Sequence, residues 1–188
     1  MPIINFVKQN KHLAILFALT VFLILLPTLN LFLDKDFQWR GAETAAITSQ
    51  GVWSYYDARV REVVNGHPFI GNPYFFEHNN EIAPAFFLAD WLAAMPRLLG
   101  ASLGLGAVIN LLFWSLVFVF LSYGVLRRLG VSKTFSLIGA ELSYFQVFSL
   151  MARPVSMQII FPFYLLFLLT FVFWLKDSAN KKRTSLLI

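Results

Sequence analysis

The sequence predicts an all-α integral membrane protein with about four transmembrane helices and a large first outer loop. Hydrophobic residues make up 58% of the 188 residues and charged residues only 13%, whereas soluble domains are about half apolar and a quarter charged. The apolar residues gather in long uncharged runs. Eight of the ten carboxylates lie between the first run and the second, which predicts one large polar segment outside the bilayer.

The first apolar run, residues 13–33, contains 21 residues and no charge, enough to cross a hydrocarbon layer of about 30 Å. A short polar lead with Lys8 and Lys11 precedes it. The run is longer than the apolar core of a signal peptide, and the sequence LFLDKD rather than a small-residue cleavage site follows it. We therefore expect an uncleaved span with a cytoplasmic N-terminus.

Three further apolar runs are predicted to span the membrane, at residues 101–126, 134–150 and 156–175. Lysine and arginine flank the ends that this arrangement places in the cytoplasm, with Arg153 as the exception. We expect a multi-pass protein of the plasma (inner) membrane with both termini cytoplasmic. Residues 176–188 are basic and then begin another apolar run, so we expect the chain to be a truncated form of a longer bundle.

The outer loop, residues 34–100, is predicted to contain two interfacial amphipathic helices, at 41–65 and 82–99. In the first, apolar residues recur at three- and four-residue steps, and Asn65-Gly66 is a helix-stop signal. The second is apolar but carries Asp90. A flat position for it keeps the basic flanks of the other helices on one side of the membrane and avoids a carboxylate in mid-bilayer. We expect Trp91 at the headgroup level.

Acidic residues of this loop are candidates for general-base chemistry. Asp34 and Asp36 emerge directly from the first span, either as a solvated pair that marks the membrane exit or as a base whose reactivity is tuned by an apolar boundary. Asp57 and Glu62 are spaced to pair with Arg61 and Arg59 on one helix surface. The alternative for the two arginines is bidentate binding of a phosphate.

The densest polar cluster follows an aromatic run and reads Glu77-His78-Asn79-Asn80-Glu81. Its side chains can hydrogen-bond sugar hydroxyls, and aromatic rings pack against sugar faces. A plain polar loop is the alternative. A divalent cation could bind through Glu77, His78 and Glu81, although their spacing matches no zinc or calcium signature, and we predict no definite metal site.

Two charged residues stand apart from the loop. Glu141 lies within the third predicted span, where an acid is a functional candidate; a structural contact with Arg127 or Lys133 is the alternative. Arg153 lies in the outer turn before the fourth span, where it either binds a lipid phosphate or extends to the outer headgroups.

Several function classes are excluded by what the sequence lacks. It has no cysteine, and therefore no disulfide or thiol chemistry. It has no phosphate-binding glycine loop, serine-nucleophile motif or HExxH motif, which excludes soluble nucleotide-binding enzymes. The net charge of +5 arises from basic residues that flank apolar runs, so it does not predict a nucleic-acid partner.

The loop sequence resembles the first outer loop of several bacterial glycosyltransferases of the GT-C type. The similar positions are Trp53-Ser54-Tyr55-Tyr56-Asp57-Ala58-Arg59, Asn65-Gly66-His67 and Asn72-Pro73-Tyr74. Together with the order of predicted spans, the resemblance covers about residues 1–175, which would correspond to the N-terminal part of such an enzyme.

The resemblance implies an inverting transfer of a sugar from a polyprenyl-phosphate donor to a lipid or glycan acceptor at the outer face of the membrane. It implies Asp36 as the base, with Asp34 as substitute, and a substrate site formed from the loop residues named above and Arg153, including Tyr56. Gly51-Val52 stands where many members carry their acid, which leaves Asp57, Glu77 and Glu81 as rivals. GT-C enzymes also have more spans, so this chain alone is expected to be an inactive fragment.

A second hypothesis is a non-catalytic membrane carrier or assembly subunit that handles lipid-linked glycans, or a transporter. A transporter places polar groups near the bilayer midplane. The predicted spans offer few such groups, namely Asn110, Glu141 and Gln146.

Overall fold

A computed structural model describes residues 10–33, 52–67, 87–151 and 156–185. Within those ranges the chain is helical and has no strand. The described residues form six helices, which in chain order are α1 (Lys11–Leu33), α2 (Val52–Val64), α3 (Leu88–Leu98), α4 (Leu103–Arg128), α5 (Lys133–Met151) and α6 (Ser156–Ser185). The prediction of an all-α chain is confirmed for this part of the sequence.

Each of the four predicted apolar runs forms one helix. Three of the helices match their runs to within two residues at both ends, while α6 continues ten residues past the predicted end at Leu175. Two described helical segments are long and apolar enough to cross a bilayer, Leu105–Arg128 of α4 and Met157–Asp177 of α6. In α1, the part Lys11–Leu26 is a shorter apolar helix. The structure thus supports two membrane-spanning helices, and the four-span arrangement remains a prediction.

The connections that follow α3 and α4 have the same sequence pattern, Leu-Gly-x-Ser, and the same conformation. Gly100 and Gly130 have φ values of +95° and +96°, a left-handed conformation that glycine adopts at little cost. In both, the next residue donates its N–H to a carbonyl five residues earlier, as in a Schellman cap. The serine hydroxyls then accept from backbone N–H groups in the first turn of the following helix.

The chain divides into two compact units. Unit 1 comprises the described parts of Met1–Phe22, Ser115–Val147 and Phe161–Ile188, and unit 2 those of Leu23–Trp114 and Phe148–Ile160. Unit 1 therefore contains the start of α1, the second half of α4 and most of α5 and α6. Unit 2 contains α2, α3 and the first half of α4.

Contacts within unit 1 fix the directions of its helices. Phe118 packs against Phe161, the position of Gly124 faces Leu169, and Arg128 lies 4.0 Å from the ring centre of Phe173. Because residue numbers increase together along this interface, α4 and α6 are parallel.

α5 and the start of α1 also pack in unit 1 beside α4. The hydroxyl of Tyr144 on α5 donates to Ser115, while the position of Gly139 faces Leu126, so α5 is antiparallel to α4. His12, at the start of α1, stacks on Tyr123 near the end of α4. The N-terminal end of α1 therefore lies level with the C-terminal end of α4.

Candidate functional site

A buried ion pair joins the two short helices of unit 2. The Nε and Nη2 atoms of Arg59 on α2 donate to Oδ1 and Oδ2 of Asp90 on α3, at 3.1 Å and 2.6 Å. The two side chains are 8% and 1% exposed. A bidentate guanidinium–carboxylate pair is both strong and geometrically specific, so this contact sets how α2 lies against α3.

The local sequence explains why both partners are buried. Val60 and Val63 are buried on the same side of α2 as Arg59, in agreement with the predicted apolar arc. On α3 the buried residues are Asp90, Ala93 and Ala94, and the two alanines leave room for close approach. Asp90 also lies in the first turn of α3, where a helix favours negative charge.

α3 is bound on another side by α4. The side-chain amide of Asn110 donates to the backbone carbonyl of Ala93 at 2.8 Å, and a Cβ atom at Gly106 would lie 3.2 Å from Cγ of Arg97. Residue numbers rise along one helix as they fall along the other, so α3 and α4 form an antiparallel hairpin. This register places α3 alongside the first half of α4. The flat position of this helix at the membrane interface stays a prediction.

The opposite face of α3 is apolar and exposed. Its large side chains recur at three- and four-residue steps and are Leu88, Trp91, Met95 and Leu98. Large exposed apolar surfaces mark contact with a membrane or a protein partner. Trp91 lies on this exposed face, and its position at the headgroup level stays a prediction.

The end of α2 carries a second acid–base contact. The helix stops at Val64 and the chain turns at Asn65-Gly66, which confirms the predicted stop. Oε2 of Glu62 lies 2.6 Å from Nδ1 of His67. In this structure Arg59 pairs with Asp90 across helices and Glu62 pairs with His67, in place of the predicted Arg59–Glu62 pair.

The remaining predicted site residues are only partly covered by the structure. Arg61 is exposed on α2. Tyr56 and Asp57 also belong to α2, but its described side chains begin at Ala58. The other candidates lie outside the described residues and are Asp34, Asp36, Glu77, His78, Asn79, Glu81 and Arg153. Among the described side chains no group of three His, Cys, Asp or Glu residues could hold a metal ion.

Unit 1 has a polar cluster of its own, formed by Thr20, Ser115, Glu141 and Tyr144. Oγ1 of Thr20 lies 2.9 Å from Oε1 of Glu141, and the Tyr144 hydroxyl lies 3.0 Å from that of Ser115. Thr20, Ser115 and Tyr144 are almost fully buried. Glu141 therefore contacts α1, and not Arg127 or Lys133, which were its predicted structural partners.

Sequence reasoning named Arg59 and Glu141 but missed their partners, Asp90 and Thr20. The available signal was an acid and a hydroxyl, each within an apolar helical segment, where a polar group needs a partner. The sequence pattern alone does not identify the partner residue.

The described residues form helices joined by short turns, and two of the helices are long and apolar enough to cross a bilayer, which is consistent with a helical membrane protein. No family model matches this chain, and no curated protein or solved structure matches it. Its function is therefore argued from its own residues.

Proposed function

We propose that the chain is the N-terminal part of a multi-pass plasma-membrane glycosyltransferase of the GT-C type. In this proposal it transfers a sugar from a polyprenyl-phosphate donor to a lipid or glycan acceptor at the outer face. The observation that carries the proposal is the assembly of α2, α3 and the start of α4. α2 lies in the segment with the glycosyltransferase-like sequence and is joined to α3 by a buried ion pair. α3 is in turn bound to α4, a helix long and apolar enough to cross a bilayer.

The directions of the helices support the proposed topology. With α4 and α6 parallel and α5 antiparallel to both, the basic residues Arg127, Arg128 and Lys176 lie at one end of unit 1. The start of α1 lies at the same end, because His12 stacks on Tyr123. That end is the cytoplasmic one by the positive-inside rule. Within unit 2, we assign the exposed apolar face of α3, with Leu88, Trp91, Met95 and Leu98, to contact with lipid.

Because of the ion pair, we assign different roles to Arg59 and Arg61. Arg59 holds Asp90 with two of its nitrogen atoms, so we assign it to positioning α2 against α3. Arg61 is exposed on the same helix, and we assign it, with Arg153, to the donor phosphate. A phosphate leaving group needs little protonation, whereas cations stabilise its developing charge.

The base in this proposal is Asp36, which deprotonates the acceptor hydroxyl as it attacks the anomeric carbon. An inverting transfer needs one such base. Asp34, Asp57, Glu77 and Glu81 are its rivals.

One observation favours the alternative, a non-catalytic carrier or transporter for lipid-linked glycans. The Thr20–Glu141 contact lies inside the helices of unit 1 and not in the loop. Polar groups within membrane helices are typical of transport pathways.

The decisive experiment measures sugar transfer in membranes that contain the full-length protein. A panel of polyprenyl-phosphate hexoses and pentoses with labelled sugars serves as donor, and label in the acceptor fraction is the readout. Asp36→Asn should abolish transfer without loss of expression, because the amide cannot accept the acceptor proton. Glu43→Gln, an acid of the same loop with no proposed role, is the matched control and should remain active.

Each other outcome has a defined meaning. Transfer retained in Asp36→Asn moves the base to another acid of the loop. Transfer absent in the wild-type protein, combined with photo-crosslinking of a polyprenyl-phosphate probe, supports the carrier hypothesis. Transfer absent together with no crosslinking contradicts both.

A further inference from the structure

The hydroxyl of Thr20 faces two oxygen atoms but has only one hydrogen. Its Oγ1 atom lies 2.8 Å from the backbone carbonyl oxygen of Leu16 and 2.9 Å from Oε1 of Glu141. Thr20 is fully buried, so water does not supply a further hydrogen. A carbonyl oxygen can only accept a hydrogen bond. If Thr20 donates to Leu16, the hydrogen in the second contact must come from Glu141.

The other oxygen of Glu141 leads to the same conclusion. Oε2 is buried and has no hydrogen-bond partner among the described residues. A buried carboxylate oxygen without a partner is costly, because the charge loses its hydration. In a protonated carboxyl group that donates through Oε1, Oε2 is an uncharged carbonyl oxygen, and the cost of leaving it unpaired is much smaller.

No contact among the described residues provides Glu141 with a counter-ion. Arg127 donates to the backbone carbonyl of Val131, and Arg128 lies 3.7 Å from Asp177. Lys133 is eight residues away on the same helix, about 12 Å along its axis. Lys11, at the start of α1, is nine residues from Thr20, about 13 Å along the helix axis, and Lys176 of α6 donates to the backbone carbonyl of Arg128. Besides Asp177, the other described titratable side chains on these helices are His12 of α1, Tyr123 of α4, Tyr144 of α5 and Tyr164 of α6. None of them carries a permanent positive charge.

We propose that Thr20 and Glu141 form a proton-binding site inside the helices of unit 1. In the proton-bound state Glu141 is a neutral acid that donates through Oε1 to Thr20, and Thr20 donates to Leu16. Binding forms one O–H bond on the carboxylate and changes no other covalent bond. On release, the Thr20 hydroxyl turns from Leu16 to the carboxylate. This site is independent of the proposed sugar transfer, whose acids lie in the loop.

Infrared spectroscopy of the full chain in lipid nanodiscs tests the proposal. At neutral pH the wild-type protein should show the carbonyl stretching band of a protonated carboxyl group, and Glu141→Gln should lack it. Thr20→Val should shift the band, because the acid loses its acceptor, whereas Thr20→Ser should leave it in place. If Glu141→Gln removes only a carboxylate band at neutral pH, Glu141 is ionised and the proposal is wrong.

A second measurement needs no variant and therefore does not depend on the folding of one. Hydrophobic carbodiimides react with protonated carboxyl groups in apolar surroundings. Peptide mass mapping should locate the adduct at Glu141, with a yield that falls as pH rises. Asp177, an exposed acid of α6, is the internal control and should react with a water-soluble carbodiimide instead. Absence of the Glu141 adduct at every pH would overturn the proposal.

Discussion

Asp90 and Glu141 are both carboxyl groups on apolar helices, yet they are stabilised in different ways. Asp90 is buried in unit 2 against the guanidinium of Arg59. Glu141 in unit 1 contacts the neutral hydroxyl of Thr20 and leaves its second oxygen unpartnered among the described residues. A buried carboxylate requires a counter-charge or a proton. Asp90 has the counter-charge, and we infer that Glu141 has the proton.

The two solutions have different consequences for a membrane protein. A bidentate ion pair fixes the relative position of two helices, here α2 and α3. A protonated acid can gain or lose its charge during function, as in proton relays. The comparison therefore assigns a positioning role to Asp90 and a switchable one to Glu141.

The largest expected effect comes from removing one half of the ion pair. Asp90→Ala removes the carboxylate that the buried guanidinium of Arg59 contacts, which should lower the free energy of unfolding by about 3–5 kcal/mol. Glu141→Ala removes a neutral hydrogen bond and should cost less, about 1–3 kcal/mol including the cavity. Unfolding in detergent micelles, followed by circular dichroism, measures both.

A matched double variant distinguishes charge from shape in unit 2. Arg59→Met combined with Asp90→Leu removes both charges, and replacement of a buried pair by apolar residues is often nearly neutral. We expect it to recover most of the stability that Asp90→Ala loses. A double variant as unstable as Asp90→Ala would mean that the pair contributes more than mutual neutralisation.

The next effect is a dependence of stability on pH that belongs to Glu141 alone. If the folded state holds one proton that the unfolded state releases, the folded state binds more protons and stability falls as pH rises. The slope for one proton is about 1.4 kcal/mol per pH unit. Subtraction of the Glu141→Gln curve from the wild-type curve isolates this slope. A difference curve without slope across neutral pH would mean that Glu141 holds no proton in the folded state there.

Local features of the fold were predictable from the sequence, but its polar contacts were not. Apolar runs fixed three of the described helices to within two residues, because helix length and hydrophobicity are local properties. The stop at Asn65-Gly66 was equally local. The Leu-Gly-x-Ser connections after α3 and α4 carry a local signal of the same kind, a glycine C-cap followed by a serine N-cap.

The Arg59–Asp90 pair could not be predicted because 31 residues separate its partners and nearer partners fit the helix periodicity equally well. A carboxylate is costly within the bilayer, which is why the helix that carries Asp90 is predicted to lie at the interface. In the structure Asp90 is paired with Arg59, and α3 lies antiparallel to α4. The partner of an isolated acid depends on which helices meet, and that is a tertiary property.

The smallest expected effect concerns the neighbour of Glu141 in the polar cluster of unit 1. Tyr144→Phe removes the hydrogen bond to Ser115 and should cost about 1 kcal/mol, measured by unfolding in detergent. Tyr164→Phe, on the exposed face of α6, is the control and should cost almost nothing. If Tyr144→Phe also changes the pH slope that Glu141 produces, the cluster acts as one network, since Tyr144 lies one turn from Glu141 on α5. An unchanged slope would mean that the proton site consists of Thr20 and Glu141 alone. The two acids would then differ in one contact, which is a hydroxyl for Glu141 and a guanidinium for Asp90.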